Sequence, residues 1–122
     1  MPVVTATDAP VFDTGGAVIT GLAAPSRGAK DSAAWRVRFR PDQPSPAHEL
    51  SHEEVFVVLA GAVTAVFADR EETAHEGGAL IVPAGTRFSL VARSGPAEAV
   101  CVLPVGGTAS TDAGPFTPPW AE

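Results

Sequence analysis

The sequence has one cysteine, no tyrosine and no asparagine among its 122 residues. A single cysteine cannot form an internal disulfide, so we expect a reducing compartment. No apolar run approaches the ~20 residues that cross a bilayer. Residues 1–8 also lack the basic and apolar regions of a signal peptide. These absences predict a cytoplasmic protein whose site depends on His, Glu, Arg, Ser, Thr, the backbone or the one Cys.

Basic side chains are also scarce. Lys and Arg number 8 against 14 Asp and Glu, so the formal net charge is −6. This balance argues against binding to nucleic acid or to an anionic membrane, because both depend on an excess of basic side chains. The length fits one domain over residues 1–122. We expect its core at about 34–105, with a flexible amino-terminal segment and a proline-rich tail that ends in Trp120.

Short β-type runs are what the sequence does contain. Twelve glycines and twelve prolines divide the chain, and no segment has the apolar periodicity of a helix. The run 54–60 is almost entirely apolar, which is typical of a strand covered on both sides, and Gly61 is predicted to turn it into a hairpin with 62–68. The other predicted strands are 17–22, 34–40, 79–82, 87–92 and 98–103. This pattern predicts an all-β sandwich or jelly-roll barrel.

The strand 34–40 has two different faces. Its apolar and basic side chains alternate as Trp35, Arg36, Val37, Arg38, Phe39 and Arg40, which is the period of a β-strand. The alternation does not say which set faces the interior. The arginines are either a solvated outer face or, if they point inward, a clamp for an anion.

Two segments, 48–61 and 77–88, carry most of the polar information. Their glycines, proline, histidine and glutamate have the spacing of the two cupin motifs, G-x5-H-x-H-x3,4-E-x6-G and G-x5-P-x-G-x2-H-x3-N. The matching residues are His48, Glu54, Gly61, Gly77, Pro83 and Gly85. The sequence therefore resembles a small single-domain cupin of the conserved-barrel type. The resemblance implies a double-stranded β-helix, or jelly-roll barrel.

The departures from these motifs concern the metal site that the family carries. The resemblance implies a divalent metal held by three histidines and one glutamate. Leu50 and Phe88 occupy the places of two of these histidines, and Ala92 occupies that of the asparagine. Only His48 and Glu54 remain, and two protein ligands rarely hold a transition metal. We therefore expect most of the standard metal site to be lost.

A rebuilt metal site is the alternative. His48, His52 and Glu54 have the same strand parity and the composition of a two-His, one-carboxylate triad for Zn, Mn, Fe or Ni. In a straight strand, positions 48 and 54 lie about 20 Å apart. The triad therefore needs a bend near residues 50–51.

We favour a protein that binds a small molecule of unknown identity inside the barrel. A mostly apolar cavity with a few convergent polar groups is typical of such sites. The predicted lining consists of His48, Leu50, His52, Glu54, Phe56, Phe88 and Leu90. One alternative is a metal-dependent oxygenase or isomerase of a small organic acid, and another is a structural module with a filled barrel. Whether the protein is an enzyme remains open.

Two further residues and the assembly complete the predictions. Cys101 lies in an apolar run and is expected in the core, whereas His75 is expected at a polar hairpin tip. The resemblance implies a homodimer that pairs through its sheets. It also makes residues 3–5 and the Trp120 tail candidate segments for exchange between protomers.

Overall fold

The computed structural model describes residues 1–122 as twelve short strands and two single-turn 3-10 helices. The strands are β1 (Val11–Asp13), β2 (Ala17–Ala23), β3 (Ser32–Phe39), β4 (Glu49–Leu50), β5 (Glu54–Ala60), β6 (Ala62–Val66), β7 (Glu71–His75), β8 (Ala79–Val82), β9 (Ser89–Val91), β10 (Ala97–Pro104), β11 (Ala109–Thr111) and β12 (Gly114–Phe116). The 3-10 turns are Pro25–Arg27 and Pro119–Ala121. No helix has the length and apolar character needed to cross a membrane.

The strands form one large sheet and two small ones. The large sheet has the order β1-β2-β3-β10-β5-β8, and the small sheets have the orders β12-β11-β4 and β7-β6-β9. All pairs within these sheets are antiparallel. One core cluster joins residues of all three sheets, among them Trp35, Leu50 and Val63. The prediction of an all-β jelly-roll barrel is confirmed.

Strand β3 shows which of its faces lines the barrel. Trp35, Val37 and Phe39 are buried in the core cluster, whereas Arg36 and Arg38 are exposed. Apolar side chains occupy the inner face because burial removes their surface from water, while an arginine there would lose its hydration. The anion clamp that an inward basic face would have made is therefore excluded.

The hairpin predicted around Gly61 is wrong. β5 pairs with β8 and β10, whereas β6 pairs with β7 and β9. Gly61 therefore carries the chain from one sheet to another. Its φ is +70°, and a Cβ there would lie 2.7 Å from the Pro96 carbonyl oxygen. Any side chain at this position would be strained by both the backbone conformation and the contact.

The burial predicted for β5 is only half right. Phe56 and Val58 are buried, but Val57 and Leu59 are 38% and 42% exposed on the other face. The strand is therefore covered on one side and not on both. Its continuous apolar run concealed an ordinary alternation, because valine and leucine also occupy the outer face.

Two segments for which the sequence predicted no strand contain strands in the structure. The polar segment around His75 forms β7, which pairs with β6 along its whole length. The tail after residue 105 contains β11 and β12, and β11 also pairs with β4. Main-chain hydrogen bonds to neighbouring strands hold both segments in place. Their side chains do not show the apolar alternation by which a strand is predicted from sequence.

The carboxyl-terminal tail docks on its own barrel. The Trp120 ring lies 6.0 Å from Phe12 and 6.3 Å from Trp35, measured between ring centroids. Arg27 fixes this arrangement because its guanidinium donates to the Trp120 carbonyl at 3.0 Å. Gly21 leaves the room for it, since a Cβ there would lie 2.8 Å from the Arg27 Nη2. The homodimer, with exchange of the chain ends, stays a prediction.

Candidate functional site

A cavity of about 340 Å³ lies inside the barrel. This volume is at the lower end of the range for small-molecule sites, and it shows that the barrel is not filled by its own side chains. Twelve of the 22 lining residues are hydrophobic, and none is Lys or Arg. The lining offers an apolar enclosure without a permanent positive charge.

The cavity wall combines the large sheet, the segment before β4 and the tail. The inner face of the large sheet contributes Ala17, Ile19, Trp35, Val37, Phe39, Glu54, Phe56 and Cys101. The loop and β4 contribute Gln43, Pro44, Ser45, Pro46, His48 and Leu50. The remaining side is formed by Thr14, Gly16, Leu90, Ala109, Thr111, Phe116, Pro118 and Trp120. Both tryptophans of the chain therefore border the cavity.

Glu54 is the one acidic residue in the cavity lining, which contains no other Asp or Glu and no Lys or Arg. It is 3% exposed, and its register on β5 opposite Val82 of β8 points it to the inner face with Phe56. Its carboxyl has no hydrogen-bond partner in the protein. Trp120 Nε1 is the only buried side-chain nitrogen or oxygen that is both sealed and without a partner. The Glu54 carboxyl is thus in contact with the open space of the cavity.

The environment of Glu54 favours its neutral form. Burial raises the pKa of this carboxyl from 4.5 to about 8, because an ionised carboxylate is poorly solvated in an apolar surrounding. No arginine or lysine lines the cavity to offset this effect. At neutral pH, Glu54 is therefore a carboxylic acid whose hydroxyl can donate a hydrogen bond.

His48 is a second polar side chain of the cavity lining, and its contacts fix the orientation of its ring. Its Nδ1 lies 2.9 Å from the Pro46 carbonyl oxygen, and its ring packs against Phe88 at a tilt of 46°, with 4.5 Å between centroids. A carbonyl can only accept, so Nδ1 carries the hydrogen and Nε2 of the neutral ring has its lone pair available. Burial, and secondarily the charge of Arg87, lowers the pKa of His48. The ring is a neutral hydrogen-bond acceptor.

Cys101 lies on the inner face of β10, opposite Phe56 of β5. It is 1% exposed, as expected for a core residue, and it also borders the cavity. Burial and the nearby charge of Glu54 raise the pKa of the thiol well above its usual value. A nucleophilic cysteine needs a lowered pKa, so this thiol belongs to the apolar wall.

Five of the seven predicted lining residues border the cavity, namely His48, Leu50, Glu54, Phe56 and Leu90. Phe88 does not. It is 1% exposed and packs behind the wall against His48 and Phe56.

His52 is the second correction to the predicted lining. It is exposed, lies outside the cavity and has its Nδ1 2.8 Å from the Ser51 hydroxyl. The parity argument fails here because β4 ends at Leu50 and β5, in another sheet, begins at Glu54.

Several lining residues were not predicted. The inner face of β3 supplies three of them, Trp35, Val37 and Phe39. Their alternation was visible in the sequence, and only the choice of face was missing. Phe116 and Trp120 come from the tail, where no local pattern indicates which surface they cover.

The residues present do not fit the metal that the cupin motifs imply. No group of three or more His, Cys, Asp or Glu side chains is arranged to hold a metal ion. Leu50 and Phe88 bring only carbon atoms to the places of two histidines, and His52 does not reach the cavity. The triad of His48, His52 and Glu54 is therefore not assembled.

Fold and site together define a jelly-roll barrel with a ligand-sized interior. The model of the cupin domain matches residues 35–103, more than half of the chain. The protein belongs to the cupin family, as the motif spacing predicted. No curated protein matches the sequence.

Solved structures share this fold at low sequence identity. The polyketide cyclase RemF from Streptomyces resistomycificus is 24% identical, with a TM-score of 0.73 over 85% of this chain and 79% of that one. KdgF from Halomonas sp. is 17% identical, with a TM-score of 0.70 over 84% and 91%. Oxalate decarboxylase from Bacillus subtilis is 17% identical, with a TM-score of 0.78 over 96% of this chain and 32% of that longer one. These similarities establish the fold.

Proposed function

We propose that this cupin binds an uncharged, largely apolar organic molecule in the cavity of its barrel. The observation that carries the proposal is the Glu54 carboxyl, which is 3% exposed, borders the cavity and has no hydrogen-bond partner in the protein. A buried polar group without a partner is costly, and a ligand that hydrogen-bonds to it removes that cost.

The lining limits the charge of the ligand. An anion would be desolvated without a cationic partner, because the wall contains no Lys or Arg and His48 is neutral. Burying an unpaired charge is far more costly than burying a neutral polar group. The lining therefore disfavours an anion, and the ligand that we propose is neutral, with a hydrogen-bond acceptor for the Glu54 hydroxyl and apolar surface for the aromatic wall.

Small bicyclic compounds test this proposal. 1-Tetralone has an apolar framework and one carbonyl acceptor, and 1-naphthoate has a similar framework with a carboxylate. We expect 1-tetralone to raise the Tm, since a ligand of the folded state stabilises it, and to change the emission of Trp35 and Trp120. A Kd on the order of 100 μM is expected, because small ligands gain roughly 0.3–1.5 kcal/mol per non-hydrogen atom.

The matched compounds and a variant decide the outcome. 1-Naphthoate should bind at least about tenfold more weakly at pH 7, because its charge is unpaired in the cavity. Glu54→Leu should weaken 1-tetralone but leave tetralin, which has no carbonyl, unaffected. Equal binding of 1-naphthoate and 1-tetralone, or no binding of either, would contradict the proposal.

A further inference from the structure

We propose that Trp120 is a specificity-determining residue of the cavity, whose indole forms the apolar wall for the part of the ligand farthest from Glu54, and that Arg27 positions this wall. This inference rests on the proposed binding function, because a ligand must first occupy the cavity. The alternative is that Trp120 only packs against the core, and the selectivity among ligands separates the two roles.

Trp120 lies against the inner face of the large sheet, on the side of β2 and β3. It borders the cavity, and its ring is 6.3 Å from that of Trp35, measured between centroids. Gly21 pairs with Trp35 across β2 and β3, and a Cβ at Gly21 would lie 3.2 Å from the Trp120 carbonyl oxygen. Trp120 is partly buried and packs against the core cluster. It therefore belongs both to the core and to the cavity wall.

The cavity extends along the sheet from Glu54 in the direction of Trp120. Glu54 lies on β5, and the cavity is lined by residues of β5, β10, β3 and β2 but by none of β8, the neighbour of β5 on the other side. Neighbouring strands are about 4.8 Å apart, so β2 and β5 are separated by roughly 14 Å along the sheet. A ligand whose acceptor meets Glu54 therefore directs its remaining apolar part towards β2 and the Trp120 indole.

The indole offers this part of the ligand apolar surface alone. Trp120 Nε1 is buried, sealed and without a hydrogen-bond partner, so the side chain has no polar atom available to a ligand. A buried donor without a partner costs free energy, and a phenylalanine in the same place would not carry this cost. What the indole adds is a larger flat apolar area, which suits the ring of an organic ligand.

Arg27 holds Trp120 in place from outside the cavity. Its Nη2 donates to the Trp120 carbonyl oxygen and its Nε to the Leu22 carbonyl oxygen, both at 3.0 Å. Arg27 itself does not border the cavity. A change of this side chain therefore reaches a bound ligand through the segments that it holds, and Arg27 is a positioning residue.

Two ketones measure the role of Trp120. Cyclohexanone and 1-tetralone share the carbonyl, but only 1-tetralone has a second ring. We expect the wild type to bind 1-tetralone roughly tenfold more tightly, because the second ring buries additional apolar surface. Trp120→Ala should reduce this ratio to less than about threefold and leave the Kd of cyclohexanone unchanged, since the wall for the second ring is removed. Ligand-observed NMR titrations give both Kd values.

Three further variants act as controls. Trp120→Phe keeps a smaller aromatic wall and removes the sealed N–H, so it should fold and give a ratio between those of the wild type and Trp120→Ala. Arg27→Met keeps the aliphatic stem without the donors, and it should lower the ratio in the wild type but not further in Trp120→Ala. Arg38→Met changes an exposed arginine and should leave the ratio unchanged.

The ratio of the two Kd values decides the outcome. A ratio near one in the wild type, an unchanged ratio in Trp120→Ala, or equal weakening of both ketones would overturn the specificity role and leave the binding function standing. An additional loss in the double variant of Arg27 and Trp120 would refute the positioning role of Arg27. Failure of 1-tetralone to bind the wild type would overturn both proposals. If Trp120→Ala does not fold, wild-type ratios in Trp120→Phe and Arg27→Met would still refute the inference.

Discussion

On the outer surface of the barrel the Asp13 carboxyl lies beside an arginine, whereas the Glu54 carboxyl inside the barrel has no hydrogen-bond partner. Asp13 receives two hydrogen bonds from Arg40, at 2.7 and 2.8 Å, and these lower the pKa of Asp13. Glu54 has only apolar and neutral neighbours, and its pKa is raised to about 8. The same type of group is ionised on one side of the large sheet and neutral on the other.

The difference shows which of the two carboxyl groups is buried without an interaction that offsets its desolvation. Outer ion pairs such as Arg40–Asp13 are solvated, and each contributes little. A desolvated acid without a partner lowers the free energy of unfolding. Such groups concentrate at functional sites. The unpaired Glu54 therefore supports the proposal that the interior binds a ligand, whereas the paired carboxyl on the outer face gives no such indication.

The largest expected effect comes from neutralising the inner carboxyl permanently. Unfolded Glu54 loses its proton near pH 4.5, but the folded protein keeps it to about pH 8. Unfolding therefore releases a proton in this window, and the free energy of unfolding falls as the pH rises through it. The loss is roughly 4–5 kcal/mol between pH 4.5 and 8.

Glu54→Gln removes this dependence, so the variant should be more stable than the wild type at pH 8 and close to it at pH 4.5. Urea unfolding at a series of pH values measures the difference. Because His48 titrates in both proteins, the comparison isolates Glu54. Parallel stability profiles of wild type and variant would show that the inner carboxyl is ionised like the outer ones.

A double substitution tests whether the interior lacks only metal donors. Leu50→His together with Phe88→His supplies imidazoles at the motif positions beside His48 and Glu54. Without metal, the variant should lose roughly 2 kcal/mol or more, since polar groups replace buried apolar ones. Added Zn²⁺ should restore its Tm and bind at about one ion per chain, whereas the wild type should not respond. Elemental analysis after desalting measures the stoichiometry. Equal zinc binding by both proteins would contradict the conclusion that the wild-type residues do not fit a metal ion.

The smallest effect is expected on the outer face. Arg36 forms an ion pair with Glu98 across β3 and β10, with both side chains partly exposed. Arg36→Ala should cost less than about 1 kcal/mol and leave the affinity for 1-tetralone unchanged. Thermal unfolding and a binding titration check this. A loss of ligand affinity in this variant would mean that the outer charges act on the cavity.

The sequence predicted the barrel better than the site. The apolar runs predicted β5 and β8 with the correct ends, and motif spacing identified His48 and Glu54 as interior polar groups. It failed at His52, because strand parity does not continue where the chain passes from β4 into another sheet. It could not place Trp120, since the contacts with Phe12 and Trp35 join the two ends of the chain. Local patterns describe strands, but cavities depend on contacts between distant segments.

The most direct test is the titration of the Glu54 carboxyl itself. In protein labelled with carbon-13 at the glutamate side chains, the resonance absent from Glu54→Gln identifies this group, and its chemical shift follows its protonation. We predict a midpoint near pH 8, which moves upward when 1-tetralone accepts a hydrogen bond from the neutral acid. A midpoint near the ordinary value of 4.5, unchanged by 1-tetralone, would contradict the account.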